Sequence, residues 1–359
     1  MRVRLDGDYS AKVGWAVTEV AEAFSGAGLS AELVDLSEGV ADLGDYELLA
    51  GTAERSAVIR DLQLSGALKL SADPESLAIR RVNGALVVAG SDEQGLMYGL
   101  LEVADQFKAL GPGASTLDLV SETCESPDTA FRGLFTFLHN ADCERQWFYS
   151  REHWEAYFSL LARSRYNSFH IVMAHQTAYL APPFPFFVDV PEHPEVVVPG
   201  LTDEQRKENL SALNMIAGLA ANRGLEFVVG IWEVIAWKPE TYHADHTQRS
   251  MVDGLDWENL ESYTYHAARS LLSQCPGIRG LQVRVNAESG IPAEKQAAFF
   301  TNTIFRALKE AAGRRFLDLR GWIALPETIQ AARSMGIPMR LSMKYWAEHL
   351  GAPYQAAEQ

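Results

Sequence analysis

Two glutamates that lie just beyond the ends of apolar segments are the residues of this sequence best suited to catalysis. Glu288 lies in the stretch VRVNAESGIP (283–292), behind an apolar run, and Glu233 follows the run VVGIW. Glycosidic bonds are commonly cleaved by two carboxyl groups, of which one donates a proton and the other attacks or positions water. The sequence predicts Glu288 as the proton donor, Asn286 as a hydroxyl-binding neighbour, and Glu233 as the second carboxyl group.

Each glutamate also has a plainer interpretation. Glu288 fits a solvated loop residue, and Glu233 fits an ion pair with Lys238 or Arg284. An alternative second carboxyl group is one that lies beyond Gln359 in a longer protein.

Polar and aromatic residues follow the other apolar segments as well. Flat indole rings can stack on the C–H faces of sugar rings, while amide, imidazole and cationic groups hydrogen-bond to hydroxyl groups. The arginines would also suit a carboxylate, although an internal salt bridge with Asp318 is an alternative. The sequence therefore predicts a carbohydrate substrate bound by His139, Asn140, His175, Trp232, Arg284, Asn286, Arg320, Trp322, Lys344 and Tyr345.

The histidines and cysteines show no pattern typical of a metal or cofactor site. His139 and His175 have no further ligands at local metal-binding spacing. Cys124, Cys143 and Cys275 form no CxxC pair and are expected to be reduced thiols. We predict no metal and no cofactor.

From about residue 129 onward, apolar segments of strand length alternate with amphipathic helical segments. The strands are predicted at 131–138, 168–173, 226–232, 280–285, 316–323 and 339–345. The helices are predicted at 151–163, 203–222, 257–273, 293–312 and 326–335. Such alternation is typical of an α/β fold with a parallel sheet buried under helices.

Two arrangements fit this alternation, an open doubly wound sheet and a (β/α) barrel. The sequence has no GxGxxG or GxxxxGK[ST] motif after the first strand, which disfavours a nucleotide-binding doubly wound sheet. Long aromatic and polar loops after the strands are typical of a barrel with its site at the carboxyl ends. We predict a (β/α)8-type TIM barrel over residues 129–359. Only six of the eight strands are found, so the barrel is expected to be truncated after about six β/α units and the chain to be a fragment.

Residues 1–128 are predicted to form a separate small α+β domain. The segments SLAIRRV and ALVVAG flank Asn83-Gly84, which is a strong signal for a hairpin because both turn positions need positive φ. A helix with an apolar face is predicted to follow at 92–108.

Composition and charge exclude several classes of partner. The net charge of −16 argues against nucleic acid and against an anionic membrane surface, since both require clustered basic residues. No apolar stretch approaches the ~18–20 residues that span a membrane. The start of the chain lacks the features of a secretory signal, so a cytoplasmic location is expected.

The segment LVVAGSDEQGLMYGLLEVADQ (86–106) resembles the small α/β domain that precedes the barrel in family 20 β-hexosaminidases and family 67 α-glucuronidases. The shared G…GLxYG pattern is found here at Gly90, Gly95, Leu96, Tyr98 and Gly99. FRGLF (131–135) is similar to the first barrel strand of such enzymes, and VRVNAESG to the α-glucuronidase segment whose glutamate is the acid.

This resemblance implies a glycoside hydrolase in which Glu288 is the acid. Ala287 stands where family 20 has the aspartate of its Asp-Glu pair, so substrate-assisted N-acetylhexosamine chemistry is not implied.

Three functions are compatible with these residues. The favoured one is a glycoside hydrolase acting on the O-glycosidic bonds of a poly- or oligosaccharide, with a uronic-acid-containing one as an option. The alternatives are a non-catalytic carbohydrate-binding barrel and a barrel lyase or isomerase with Lys344 or a histidine as base.

Overall fold

A computed structural model of the 359-residue chain describes residues 1–34, 48–111, 116–173, 179–236, 251–285, 289–321 and 325–343. The chain divides into two compact units. One unit comprises Met1–Arg132, Tyr157–Asn167 and Ala221–Leu225, and the other comprises Gly133–Ala156, Ser168–Ala220 and Glu226–Gln359. The domain boundary near residue 128 stays a prediction.

Strands and helices alternate through most of the described chain. The strands are β1 (Arg2–Leu5), β2 (Glu32–Val34), β3 (Leu48–Thr52), β4 (Leu77–Val82), β5 (Ala85–Gly90), β6 (Thr123–Glu125), β7 (Gly133–Leu138), β8 (Ser168–Met173), β9 (Glu226–Ile231), β10 (Ile278–Arg284), β11 (Phe316–Gly321) and β12 (Met339–Met343). The α-helices are α1 (Ala11–Gly26), α2 (Ala57–Leu64), α3 (Glu93–Leu110), α4 (Ala141–Phe148), α5 (Arg151–Arg163), α6 (Asp203–Ala221), α7 (Leu260–Gln274), α8 (Ala293–Phe300), α9 (Arg306–Glu310) and α10 (Pro326–Ser334). None of the helices in these ranges is long and apolar enough to cross a membrane.

The sheet of the first unit has the strand order β2-β1-β3-β5-β4-β6. β1 runs parallel to β2 and β3, and β4 runs antiparallel to β5 and β6. β4 and β5 are joined by Asn83 and Gly84, whose φ angles are +51° and +88°. The predicted hairpin is confirmed, and its turn uses two residue types that tolerate positive φ.

Two glycines of the GLxYG pattern allow α3 to begin directly against the sheet. A Cβ atom on Gly95 would lie 2.0 Å from the carbonyl oxygen of Ser76, and one on Gly90 would lie 2.1 Å from the backbone nitrogen of Leu96. Asp92 caps the helix, because its Oδ1 accepts a hydrogen bond from the backbone N–H of Gly95 at 2.8 Å. The pattern is therefore a steric requirement of this strand–helix junction.

The sheet of the second unit is wholly parallel and has the strand order β7-β8-β9-β10-β11-β12. Each strand lies beside the one that precedes it in the sequence, so the winding never reverses within the described strands. A doubly wound sheet requires a reversal, whereas a (β/α) barrel is wound in one direction. The predicted α/β fold with a parallel sheet is confirmed, and its strand order is of the barrel type.

Side-chain contacts across the second sheet show that it is strongly curved. His170 on β8 and Asp318 on β11 are three strands apart, yet the Nδ1–Oδ2 distance between them is 3.9 Å. Three strand spacings amount to about 14 Å in a flat sheet, which these two short side chains do not bridge. Glu226 on β9 and Arg340 on β12 are also three strands apart and form an ion pair at 2.6 Å. The sheet therefore rolls around a concave inner face.

Several element boundaries differ from those predicted. Helix α7 begins at Leu260 and not at 257, because Oδ1 of Asp256 accepts hydrogen bonds from the backbone N–H groups of Glu258 and Asn259 and forms a local turn. The single helix predicted at 293–312 is interrupted by a π-helical turn at Thr301–Phe305. The predicted ends of the strands at 316–323 and 339–345 lie partly outside the described residues.

Candidate active site

Six of the predicted site residues lie in the described part of the chain, namely His139, Asn140, Trp232, Glu233, Arg284 and Arg320. Six others lie outside the described residues, namely His175, Asn286, Glu288, Trp322, Lys344 and Tyr345. The roles of all twelve stay predictions. Among the described residues, no group of three or more His, Cys, Asp or Glu side chains is arranged to hold a metal ion.

The strands of the second sheet end at one level. Leu138 pairs with Met173, Met173 pairs with Ile231, and Val283 pairs with Ile231. Because all of these strands are parallel, the residues at or just beyond this level share one edge of the sheet, which we call the carboxyl edge. The carboxyl edge carries His139, Asn140, Trp232, Glu233, Arg284 and Arg320.

The guanidinium group of Arg284 packs over the indole ring of Trp232 at this edge. The guanidinium carbon of Arg284 lies 3.7 Å from the centroid of the indole ring. Arg284 is only 2% exposed and Trp232 is 0% exposed. The ring of Phe137 lies 5.8 Å from that of Trp232 and 5.6 Å from that of His139. A buried cation–π contact and a row of rings thus connect β7 to β10 along the carboxyl edge.

The loops after β9 and β10 are joined next to Glu233. The backbone N–H of Val234 donates a hydrogen bond to the carbonyl oxygen of Ser289 at 3.2 Å. Gly290 has a φ of +80°, and a Cβ atom there would lie 2.5 Å from the side chain of Ile235. The glycine at 290 therefore has a structural reason, since only glycine permits both this backbone angle and this close approach. Glu233 itself is fully buried beside the junction.

Glu144, which sequence reasoning missed, supports the end of β7 from α4. Its Oε1 accepts hydrogen bonds from the backbone N–H groups of His139 and Asn140, while its Oε2 has no hydrogen-bond partner in the described structure. Burial raises the pKa of Glu144, and the two backbone hydrogen bonds oppose that shift. Oδ1 of Asn140 accepts a hydrogen bond from the backbone N–H of Asp142 at 2.8 Å and so caps α4. Asn140, which is predicted to bind substrate, therefore also has a structural role.

A polar network that sequence reasoning also missed lies deeper on the inner face. The amide of Gln282 donates hydrogen bonds to Nδ1 of His170 at 3.2 Å and to Oδ2 of Asp318 at 2.7 Å. Nδ1 is therefore an acceptor, and Nε2 of His170 carries the hydrogen and donates to Oγ of Ser168 at 3.1 Å.

The histidine of this network is neutral at neutral pH. Burial lowers the pKa of His170 to about 4, against the opposing effect of the Asp318 charge. A signal for the network existed in the sequence, because His170, Gln282 and Asp318 are polar residues in the middle of otherwise apolar strands.

Solved structures of glycoside hydrolases share this fold. A GH138 enzyme targeting pectin rhamnogalacturonan II matches with a TM-score of 0.69 and 18% identity, over 95% of this chain and 37% of its own. A Streptomyces plicatus β-hexosaminidase in complex with GlcNAc matches with a TM-score of 0.56 and 14% identity, over 95% of this chain and 70% of its own. A GH115 4-O-methyl-α-glucuronidase matches with a TM-score of 0.58 and 16% identity, over 95% of this chain and 44% of its own.

These similarities establish the fold and not a family. No protein-family model matches the sequence, and no curated protein matches it. The chain spans 37% of the GH138 enzyme and 44% of the glucuronidase, which is less than half of each. The predicted likeness to hexosaminidases and glucuronidases is confirmed at the level of structure, and the chain has a glycoside hydrolase fold.

Proposed function

We propose that this chain acts as a glycosidase in which Glu288 donates the proton and Glu233 is the second carboxyl group. The observation that supports this pairing best is the hydrogen bond between Val234 and Ser289. Glu233 and Glu288 directly precede these two residues, and consecutive Cα atoms are about 3.8 Å apart. In the sequence each glutamate is therefore one residue from the junction of the two loops, and we propose that their carboxyl groups reach the ~5–10 Å separation of a catalytic pair.

The proposed substrate is a poly- or oligosaccharide that contains a uronic acid. Arg284 and Arg320 are partners in the register of β10 and β11, at the carboxyl edge. A forked guanidinium group binds a carboxylate at two points, so the partly exposed Arg320 suits the acid group of a uronate, whereas Arg284 is buried against Trp232. The similarity in fold to a 4-O-methyl-α-glucuronidase supports the same choice.

We also propose that the second sheet is part of a TIM barrel. The one-directional strand order and the contacts between residues three strands apart support this arrangement. In a barrel, the carboxyl edge forms the mouth that receives the substrate.

Hydrolysis of paired phenyl and 4-nitrophenyl glycosides, both neutral and uronic, tests the proposal. Phenol is the poorer leaving group and depends more on protonation. Glu288→Gln should therefore lower kcat/KM for the phenyl glycoside by about 10³-fold, within the usual range for acid catalysis, and lower it much less for the 4-nitrophenyl glycoside. Glu233→Gln should impair both substrates to a similar extent.

Glu294→Gln is the matched control, because this glutamate is exposed in the first turn of α8 and only a few residues from Glu288. It should retain wild-type activity. Unchanged turnover in Glu288→Gln would show that the acid is misassigned. A wild-type chain that binds oligosaccharides but cleaves none of the glycosides would favour a carbohydrate-binding barrel.

A further inference from the structure

A group of arginines lies at the end of the second sheet opposite the carboxyl edge. Arg279 is near the start of β10, Arg314 and Arg315 directly precede β11, and Arg340 is near the start of β12. With Glu226 at the start of β9, they line a cavity of about 370 Å³. This volume falls within the ~300–1,000 Å³ that is typical of small-molecule sites.

The cavity carries an excess of positive charge. Four arginines and one glutamate give its lining a net charge of +3, in a chain whose net charge is −16. Glu226 is already paired with Arg340 at 2.6 Å. Within the described ranges, Arg279, Arg314 and Arg315 have no carboxylate within 4.0 Å. Like charges gathered in this way repel one another, and a bound anion relieves that repulsion.

Arg315 is held in place and retains donor capacity. Its Nε donates to the carbonyl oxygen of Ala312 at 3.1 Å, and its Nη2 donates to that of Leu272 near the end of α7 at 3.0 Å. The residue is 8% exposed, and its Nη1 has no hydrogen-bond partner in the described structure. Burial lowers the pKa of Arg315, and the charge of Arg279 acts in the same direction. A buried cation with an unused donor is costly unless it is paired.

We infer that this cavity binds a small oxyanion carrying at least two negative charges, of the kind represented by sulfate and phosphate. Guanidinium groups are planar forks that donate two parallel hydrogen bonds to such anions, and several forks around one cavity select tetrahedral oxyanions over chloride. The site lies at the amino ends of the strands, and so the inference does not depend on the proposed glycosidase activity.

Calorimetric titration of the 359-residue chain with sodium sulfate, and separately with sodium phosphate, tests this inference. The buffer has low ionic strength, and sodium chloride at matched ionic strength serves as the reference. Both oxyanions should bind to a single saturable site, whereas chloride should produce no saturable heat.

The double variant Arg279→Gln/Arg314→Gln should weaken oxyanion binding by roughly tenfold or more, because two charge-assisted contacts are removed. Both residues are exposed, so the variant keeps the buried Arg315 and the fold. Arg333→Gln removes an exposed charge from the last turn of α10 and should leave binding unchanged. The inference is overturned if neither oxyanion saturates, if chloride gives an equal saturable heat, or if the double variant binds as the wild type does.

Discussion

The guanidinium carbon of Arg284 lies 3.7 Å from the centroid of the Trp232 ring, and both side chains are buried at the carboxyl edge. Arg284 ends β10 and Trp232 directly follows β9, so this contact ties together two neighbouring strands where the proposed catalytic loops begin. The contact holds two buried side chains together beside Glu233 in the sequence, where the loop after β9 begins.

Removal of this stack should destabilise the protein measurably. Arg284→Met should lower the free energy of unfolding by about 2 kcal/mol, the scale of a desolvated cation–π contact. Arg284→Lys should restore only part of the loss, because an ammonium group does not stack as a plane. Urea unfolding of the single variants, of Trp232→Leu and of the double variant gives the coupling energy. A coupling near zero would contradict the assigned contact.

Gly290→Ala should separate the loops that follow β9 and β10. The new methyl group meets Ile235 at 2.5 Å and forces a φ of +80° on an alanine, which together should cost roughly 2–4 kcal/mol. Ile235→Ala combined with Gly290→Ala should recover the part of the lost unfolding free energy that comes from the steric clash. The part that comes from the backbone angle should remain. If the double variant is no more stable than Gly290→Ala, the close contact does not explain the need for glycine.

Glu144→Ala should leave the backbone N–H groups of His139 and Asn140 without their acceptor. The expected loss is about 2 kcal/mol in the free energy of unfolding. Glu144→Gln keeps an acceptor oxygen of the same shape, so its loss should be much smaller. Equal losses in the two variants, measured by chemical denaturation near neutral pH, would mean that the negative charge matters more than the acceptor.

His170 should make the protein less stable in mild acid. Its folded-state pKa of about 4 lies below the ordinary value of 6.5, so the unfolded chain binds more protons between these values. Stability is therefore lost as the pH falls from about 6.5 towards 4, by at most ~1.4 kcal/mol per pH unit.

His170→Gln tests this dependence, because it removes the titrating group and keeps a polar side chain. Its unfolding free energy should fall less steeply than that of the wild type over the same pH range. Parallel profiles for the two proteins would assign the acid sensitivity to other groups.

Local patterns explain why parts of this fold were predictable. The turn at Asn83-Gly84 needs only two residues with positive φ. Two glycines of the GLxYG pattern, Gly90 and Gly95, are needed because a Cβ atom there would overlap neighbouring backbone atoms. The periodicity of apolar residues likewise indicates which faces of strands and helices are buried, and this was sufficient to predict a parallel sheet.

Features that depend on curvature were not predictable in the same way. The contact between His170 and Asp318 exists only because the sheet rolls, and no local spacing in the sequence encodes that curvature. Glu144 was missed because its role is to bind backbone N–H groups across a turn, which any nearby acceptor could do. The predicted acid, Glu288, lies outside the described residues, so its assignment depends on chain connectivity and resemblance.

The polar network inside the rolled sheet also limits how the strands align. If β11 slid by one residue against β10, Asp318 would turn towards the helices, and Leu317 or Leu319 would take its place beside Gln282 and His170. The shifted register would place the Asp318 carboxylate among apolar side chains and a leucine side chain among polar atoms. The polar side chains of this network are thus satisfied in only one register of β11 against β10.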